Sequence, residues 1–544
     1  MNASITKPAK NDVIMSQEHE NKQGQIFVNS EIGTLKRVIT HSPDGGIGKV
    51  VPTKAQDWLY EDIVDLFEMQ KEYDVFKQIL LSFLDTPTLK IWFEKELEFQ
   101  KKNQDNTTKR ASFKKPDHID FLVSDNVIEI QLLIAKIVSN ERVRDQLVAS
   151  ICAVERCDFD TQQMLADKNY MSEADLAKTL ITGFVRMPNG DEHQIFPPLP
   201  NFIFTRDIGI VIEDNLLLSK TAKQARLRES ILTKYIAYYE LYKGNANKVI
   251  EISEDDEFFL CEDNEKESKI VTIEGGDLMM ISDSHLLIGY SERTSANAID
   301  KIIKRFFSLK KSNSDEPLLK KISVIVIPKW RGTMHIDTIF THVDRGTWVL
   351  HSPMSLEGQP QYNTEVSYVN DLTGKSKQKP EEITGVSIVQ FINEIDTNTD
   401  RYKVHYDFRG FEDLMRHVSK VDFGFTGNVN FIYSGNAEYP YDEREQWTDA
   451  CNVVAVREGV VLGYDRNHKT NEAFQKYGFG IIKATEIITK LEAAYFADKN
   501  VDLTKVLNTI IPAKCLILIP SSELSRARGG THCMTMPILR EKIQ

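Results

Sequence analysis

The sequence predicts an α/β protein in which one small unit recurs around the chain, interrupted by a long helical block. Two observations carry this reading. The first is repetition: Asp214 to Lys220, Asp283 to Tyr290, Arg345 to His351 and Glu458 to Tyr464 each read as a turn, then an apolar strand, then a small or polar residue leading onward, three of them into a helix. Arg37 to His41 is a fifth strand of the same kind. Repeats of this sort point to a radial or solenoid arrangement, with an ordinary open α/β sheet as the alternative that the irregular spacing leaves standing. The second observation is a stretch almost without breakers. No glycine stands between Gly48 and Gly183, and the only prolines there are Pro52, Pro87 and Pro116, so residues 55–184 should be mostly helical.

In chain order, residues 1–25 are polar and charged without an apolar core segment, which argues against a secretory signal and for a loose tail. Glu31 to Asp44 reads as turn, strand and loop. Ile63, Leu66, Phe67, Tyr73, Phe76, Ile79, Leu80 and Phe83 keep the three-and-four rhythm of one helix face. Lys101 to Lys115 is a polar segment expected to be an exposed loop, and Gln131 to Ile137 opens a second helical group. From Leu199 onward the texture changes to short apolar runs separated by turns and helices. Asp371 to Arg409 is again polar and reads as an insertion, and Leu516 to Ile519 reads as a buried strand.

Composition limits the function classes. With 544 residues, 41% hydrophobic and 27% charged, the chain can bury a large core. A net charge of −13 and the lack of a basic stripe speak against a nucleic-acid partner. No run approaches the length of a membrane span. Six scattered cysteines, without metal-ligand spacing or disulfide density, fit a reducing, cytoplasmic compartment.

The chemistry concentrates in short motifs. Near the C-terminus, Arg526-Ala527-Arg528-Gly529-Gly530-Thr531-His532-Cys533 places a cysteine after two glycines that allow close backbone approach. Arg526 and Arg528 are expected to favour the thiolate of Cys533. Upstream stand Leu199-Pro200-Asn201-Phe202-Ile203-Phe204-Thr205-Arg206-Asp207, Glu274-Gly275-Gly276-Asp277 and Met334-His335-Ile336-Asp337-Thr338. Singly, each has a structural explanation: a salt bridge, a turn, a strand edge. His335 and Asp337, two apart, would share one face of an extended segment. Several carboxylates around one thiol do not suit acyl transfer, whose transition state is an oxyanion. They suit a cationic substrate, and guanidinium is planar, permanently charged and matched to bidentate carboxylates.

These motifs, with Tyr464-Asp465-Arg466-Asn467, resemble those of the arginine deiminases in the guanidino-modifying superfamily, from Glu31 to the C-terminus. The sequence departs from the family pattern at Asp44 and Ala527, both usually glycine. The resemblance implies a five-bladed, pseudo-symmetric α/β propeller over 26–54 and 185–544, with an inserted, enlarged helical domain over 55–184. It implies Cys533 as nucleophile, His335 as acid–base group, Asp207 and Asp337 as guanidinium clamps, and Glu274 as the partner that orients His335. Arg226 and Arg293 would hold the α-carboxylate of free L-arginine, Asn201 and Phe204 would line the same pocket, and Arg528 would lie on a gating loop. It further implies hydrolysis to citrulline and ammonia with no metal or organic cofactor, and assembly as a homo-oligomer. A dihydrolase or amidinotransferase would use the same residues. An idle arginine-binding protein has no use for Cys533.

Overall fold

Each of the five apolar runs becomes the middle strand of a different sheet, with one antiparallel and one parallel neighbour. Leu35–Thr40 pairs antiparallel with Met536–Arg540 and parallel with Val127–Glu129. Asn215–Leu218 does the same with Gly209–Ile212 and Val249–Ile250. His285–Tyr290 takes Leu278–Ser282 and Lys321–Val326, and Thr347–Leu350 takes Phe340–Asp344 and Asn430–Tyr433. Val460–Tyr464 takes Val454–Arg457 and Cys515–Ile519, the last extended in parallel by Gly480–Lys483. Strands with neighbours on both sides and covered faces have no polar alternation to show, which is why they read as continuous apolar runs. The chain is thus an α/β protein. The computed structural model describes residues 25–102, 123–351 and 387–543, apart from 56, 61, 188, 189, 256, 257, 259, 260, 262–265, 267, 268, 313, 330, 398, 406 and 407.

The antiparallel hairpins turn tightly. Gly459 does so with φ +77°, where a side chain would be strained, and an added Cβ would fall 2.9 Å from Ala513 O. The parallel pairs need crossovers, and these carry helices. Ala296–Phe307, between His285–Tyr290 and Lys321–Val326, is capped by Ser295 and buries Ala298, Ile299, Ile302, Ile303, Phe306 and Phe307. That stripe is the spacing of one helix face laid on its sheet.

The block 55–184 divides in the same way. Helix Leu66–Leu84, capped by Asp65, and helix Thr86–Lys102 lie in the crossover from Leu35–Thr40 to Val127–Glu129. Four helices follow: Ile130–Val138, Glu141–Glu155, Phe159–Ala166 and Glu173–Thr182. The first group shares a core with the Val460–Tyr464 sheet and the second with the Asn215–Leu218 sheet. The expected helical block therefore contains a strand, and its helices belong to two different cores.

A second difference lies in the polar stretch 371–409. Residues 371–386 are outside the described residues, as are the tail up to 24 and the expected loop from 103 to 115. Ser387–Asp396 and Arg401–His405, however, form an antiparallel hairpin that widens the His285–Tyr290 sheet. The half-exposed outer strand supplies the polarity that made the stretch read as an insertion. No helix among the described residues is long and apolar enough to cross a membrane.

Candidate active site

In each of the five units the residues just ahead of the first hairpin strand face one cavity or the thiol at its base. Asp207 sits in the 3-10 turn Thr205–Ile208 before Gly209–Ile212. Glu274 leads into the turn Gly275–Asp277 before Leu278–Ser282. His335 and the turn Ile336–Thr338 precede Phe340–Asp344, and Cys533 precedes Met536–Arg540. His335 is extended, but Asp337 lies in a turn, so the expected two-residue strand alternation is not what aligns them. The paired glycines are steric necessities. A Cβ on Gly275 would fall 2.1 Å from Arg206 O, and one on Gly276 would fall 2.6 Å from His335 Nδ1 and 3.0 Å from Asp207 Oδ1.

A cavity of about 270 Å³ is lined by Cys533, His335, Glu274, Asp207, Asn201, Phe204, Arg226, Arg293 and Arg528. Asp337 lies against the sulfur, with its Oδ2 accepting from Cys533 Sγ at 3.3 Å. His335 Nε2 is 3.0 Å from Glu274 Oε2, and its Nδ1 is 3.7 Å from Asp207 Oδ1. The structure thus brings the five residues of the expected catalytic set together, all of them buried. Asp207 Oδ1 and Asp337 Oδ1 are buried acceptors that receive no hydrogen bond among the described residues.

Arg226 is drawn into this carboxylate cluster. Its Nη1 donates to Asp207 Oδ2 at 2.7 Å and to Glu274 Oε2 at 3.2 Å, and its Nε donates to Glu229 Oε2 at 2.9 Å. Asp207, Glu274 and His335 are close enough together to hold a metal ion on geometry alone. The Arg226 guanidinium already supplies positive charge against both carboxylates. Arg293 is half-buried on the cavity wall, with Nη1 3.9 Å from Glu274 Oε1 and with Nε and Nη1 lacking hydrogen-bond partners among the described residues. Asn201 Nδ2 donates to Trp58 O at 2.7 Å, which ties the neighbouring Leu59 to the cavity wall. Phe204 packs on Gly529 so closely that a Cβ there would fall 2.2 Å from its ring.

The electrostatics set the protonation states. Burial disfavours a charged His335, but Asp207, the Glu274 hydrogen bond and Asp277 outweigh it and raise the imidazole to about 10. Burial likewise opposes a charged Glu274, yet Arg226, His335 and Arg293 hold it well below the usual carboxylate range. Asp277 is pushed up to about 7 by burial, which its contacts with His335, Ser291 and Thr294 only partly offset. Burial pushes the Cys533 thiol well above its ordinary value, and Asp337, Asp207 and Asp449 push in the same direction. The expected favouring of the thiolate by Arg526 and Arg528 is not met. Arg526 faces outward and pairs with Asp62 and Glu523, while Arg528, at φ 61°, stacks its guanidinium 3.6 Å from the Trp447 ring centroid.

Sequence reasoning passed over several residues here. His532, within the cysteine motif, bridges Asp337 Oδ2 at 2.9 Å and Glu31 Oε2 at 3.3 Å, and Arg206 pairs with Glu31 from the far side. Asn452 touches Cys533 directly, at 3.1 Å from Sγ. Its signal was positional, since it precedes Val454–Arg457 as Asp207 precedes its own hairpin. Trp447 and Asp449, which flank Arg528, gave none.

The sheets and this buried thiol, imidazole and carboxylate set define an enzyme site shaped for a cation. The arginine deiminase family model matches residues 124–540, and the chain belongs to that family. Arginine deiminases of Staphylococcus aureus (strain MRSA252) and Oenococcus oeni are each 28% identical to it, covering 96% of this chain and 99% of their own. Among solved structures, an amidinotransferase from Microseira wollei aligns over 95% of this chain and 98% of its own, at 10% identity and a TM-score of 0.40.

Proposed function

We propose that the protein hydrolyses the guanidinium group of free L-arginine to L-citrulline and ammonia through a covalent thiouronium on Cys533. The observation that carries this reading is the pair of buried oxygens, Asp207 Oδ1 and Asp337 Oδ1, that receive no hydrogen bond among the described residues. A buried acceptor left unpaired costs about 1–3 kcal/mol, and more when charged. A planar cation with N–H groups on several sides satisfies both oxygens and sets its central carbon before the sulfur, which is catalysis by orientation.

In this reading the Cys533 thiol releases its proton to solvent as the guanidinium binds, and the thiolate attacks the guanidinium carbon. His335, protonated at neutral pH, gives its proton to the departing nitrogen, and ammonia leaves. The imidazole, now neutral, takes a proton from the incoming water, whose oxygen attacks the thiouronium carbon. The C–S bond breaks, the proton left on the new hydroxyl passes to the departing sulfur, citrulline forms, and His335 is again protonated. Glu274 stabilises the imidazolium in each half-reaction. The Arg293 guanidinium at the cavity wall, with no hydrogen bond to Nε or Nη1 among the described residues, suits the α-carboxylate, with Arg226, Asn201 and Phe204 around it. The name arginine deiminase carried by the similar proteins favours water over an amine as acceptor.

The same reading takes the five similar sheets as the blades of an α/β propeller closed by Met536–Arg540 against Leu35–Thr40. Residues 26–54 and 185–544 are its body, with 55–184 anchored to it through Val127–Glu129. The test is to incubate the purified protein with L-arginine and measure citrulline, ornithine and ammonia together. Citrulline and ammonia in equal amounts support the proposal. Ornithine with excess ammonia, or no product, overturns it.

A further inference from the structure

We propose that Asn452 is a further catalytic residue, whose side-chain amide N–H is the hydrogen-bond donor that stabilises the Cys533 sulfur anion. This rests on the reading of Cys533 as the nucleophile.

The orientation of the amide is fixed by its neighbours. Asn452 faces Cys533 N at 2.9 Å, a group that can only donate, so that atom is Oδ1. It faces Asp337 O at 2.9 Å, which can only accept, so that atom is Nδ2. The remaining Nδ2 hydrogen is directed at Cys533 Sγ, 3.1 Å away. With 1% of its surface exposed, Asn452 has no solvent to turn toward. The amide therefore grips the nucleophile twice, once by its backbone N–H and once by its sulfur.

The charges around the sulfur give this contact its weight. The charges of Asp337, Asp207 and Asp449 all oppose ionisation of Sγ. Asp337 Oδ2, the other hydrogen-bonding neighbour of Sγ among the described residues, accepts from the thiol and would repel the thiolate. The cationic groups of the cavity act on the carboxylates. Arg226 is on Asp207, His335 near Asp207, and Arg528 beside Asp449, while the His532 imidazole hydrogen-bonds Asp337. A neutral donor in direct contact can favour the anion where those charges are already spent on other partners.

The fold carries a second argument. Asn452 stands shortly ahead of Val454–Arg457, as Asp207, Asp277, Asp337 and Cys533 stand one to three residues ahead of the other four hairpins. Three of those positions hold Asp. A carboxylate here would keep the contact to Cys533 N but lose the donor to Sγ. Gly530 is matched to the same amide, since a Cβ there would lie 2.5 Å from Asn452 O and 2.7 Å from its Oδ1.

The experiment measures thiol reactivity apart from turnover. Wild type, Asn452→Ala and Asn452→Asp are alkylated from pH 6 to 10 with iodoacetamide and with the smaller methyl methanethiosulfonate, with Cys533→Ala giving the background. Folding is checked by circular dichroism and thermal melting. The backbone carbonyl of Asn452, which receives His532 N, is unchanged in both variants. A hydrogen bond to a charged group predicts a loss of about ten-fold or more in Cys533 alkylation at a given pH for Asn452→Ala, and a larger loss for Asn452→Asp. The same factor with both reagents marks ionisation rather than access. Equal rates in all three proteins, a loss that differs between the reagents, or a loss in Asn452→Ala alone overturns the proposal. Arginine turnover by wild type is assayed alongside. Its absence would count against the deiminase reading while the alkylation contrast still decides the role of Asn452.

Discussion

Replacing Glu274 by Gln should move the alkaline limb of the pH–activity profile toward neutrality. Glu274 Oε2 is 3.0 Å from His335 Nε2, both side chains are buried, and the imidazole is held at about 10 by Asp207, Glu274 and Asp277 acting against burial. A general acid works while it is protonated, so activity should fall as pH rises through that value. Gln keeps the shape and a hydrogen bond but removes one of the anions. Burial then acts against fewer carboxylates, and the imidazole must lose its proton at lower pH. A charge-assisted hydrogen bond is worth roughly 1.5–3 kcal/mol, or about one to two pH units. Asp207 and Asp277 remain, so the imidazole should not fall below its ordinary value. The assay is citrulline formation under kcat/KM conditions from pH 6 to 10.5, which reports groups of the unliganded enzyme. An alkaline limb that stays in place, whatever happens to the rate at neutral pH, would refute the assignment of His335 as the acid sustained by Glu274.

Further outcomes follow from the same geometry. Cys533→Ala should abolish citrulline formation while leaving the circular dichroism spectrum unchanged and L-arginine binding by calorimetry measurable, because the clamping carboxylates remain. Arg293→Ala should raise KM for L-arginine about ten-fold or more, as expected for losing a charged hydrogen bond, and much less for agmatine, which lacks the carboxylate. Equal effects on the two substrates would remove Arg293 from that role. His41 offers a test of stability away from the cavity. Burial disfavours its charge, but hydrogen bonds to Asp44 and Glu129 raise it to about 9. Its stabilisation should be complete below about 6.5, the unfolded value, and be lost as pH rises through 9. The melting-temperature difference between wild type and His41→Asn should therefore shrink over that window; a constant difference would refute it.

What could be read from the sequence follows from where side chains carry information. The five middle strands were legible because burial on both faces leaves only apolar residues, and the turn before each is marked by Asp, Glu, Arg or Gly. Val127–Glu129 was not legible. Three residues inside a breaker-free stretch look like helix, and only their parallel pairing with Leu35–Thr40 makes them a strand. Ser387–Asp396 was hidden by its half-exposed partner Arg401–His405, whose polar face resembles a loop. In the cavity, Cys533, His335, Glu274, Asp207 and Asp337 declared themselves by residue type within short motifs. Asn452 did not, because a neutral amide has no charge pattern and its meaning comes from a sulfur 81 positions away. The positive setting expected for Cys533 failed for a related reason. Arg526 and Arg528 are near it in sequence, but their charges are directed to Asp62, Glu523 and Trp447.

That failure bears on how the proposed reaction is controlled. Burial and three carboxylates keep the Cys533 sulfur protonated in the unliganded site, so the nucleophile is weakest when no substrate is present. A guanidinium seated against Asp207 Oδ1 and Asp337 Oδ1 offsets the very charges that oppose ionisation. Substrate charge and nucleophile strength are then one variable. A neutral molecule of the same shape would meet a thiol and carboxylate charges it cannot offset, and would gain little from binding. Citrulline is such a molecule: conversion of a guanidinium to a urea removes the positive charge that the site holds. The sulfur is reprotonated, the two oxygens lose the cation that bonded to them, and release of product becomes favourable. The surplus of buried carboxylate costs stability in the unliganded protein, and in return it allows one charge to select the substrate, ionise the thiol and discharge the product.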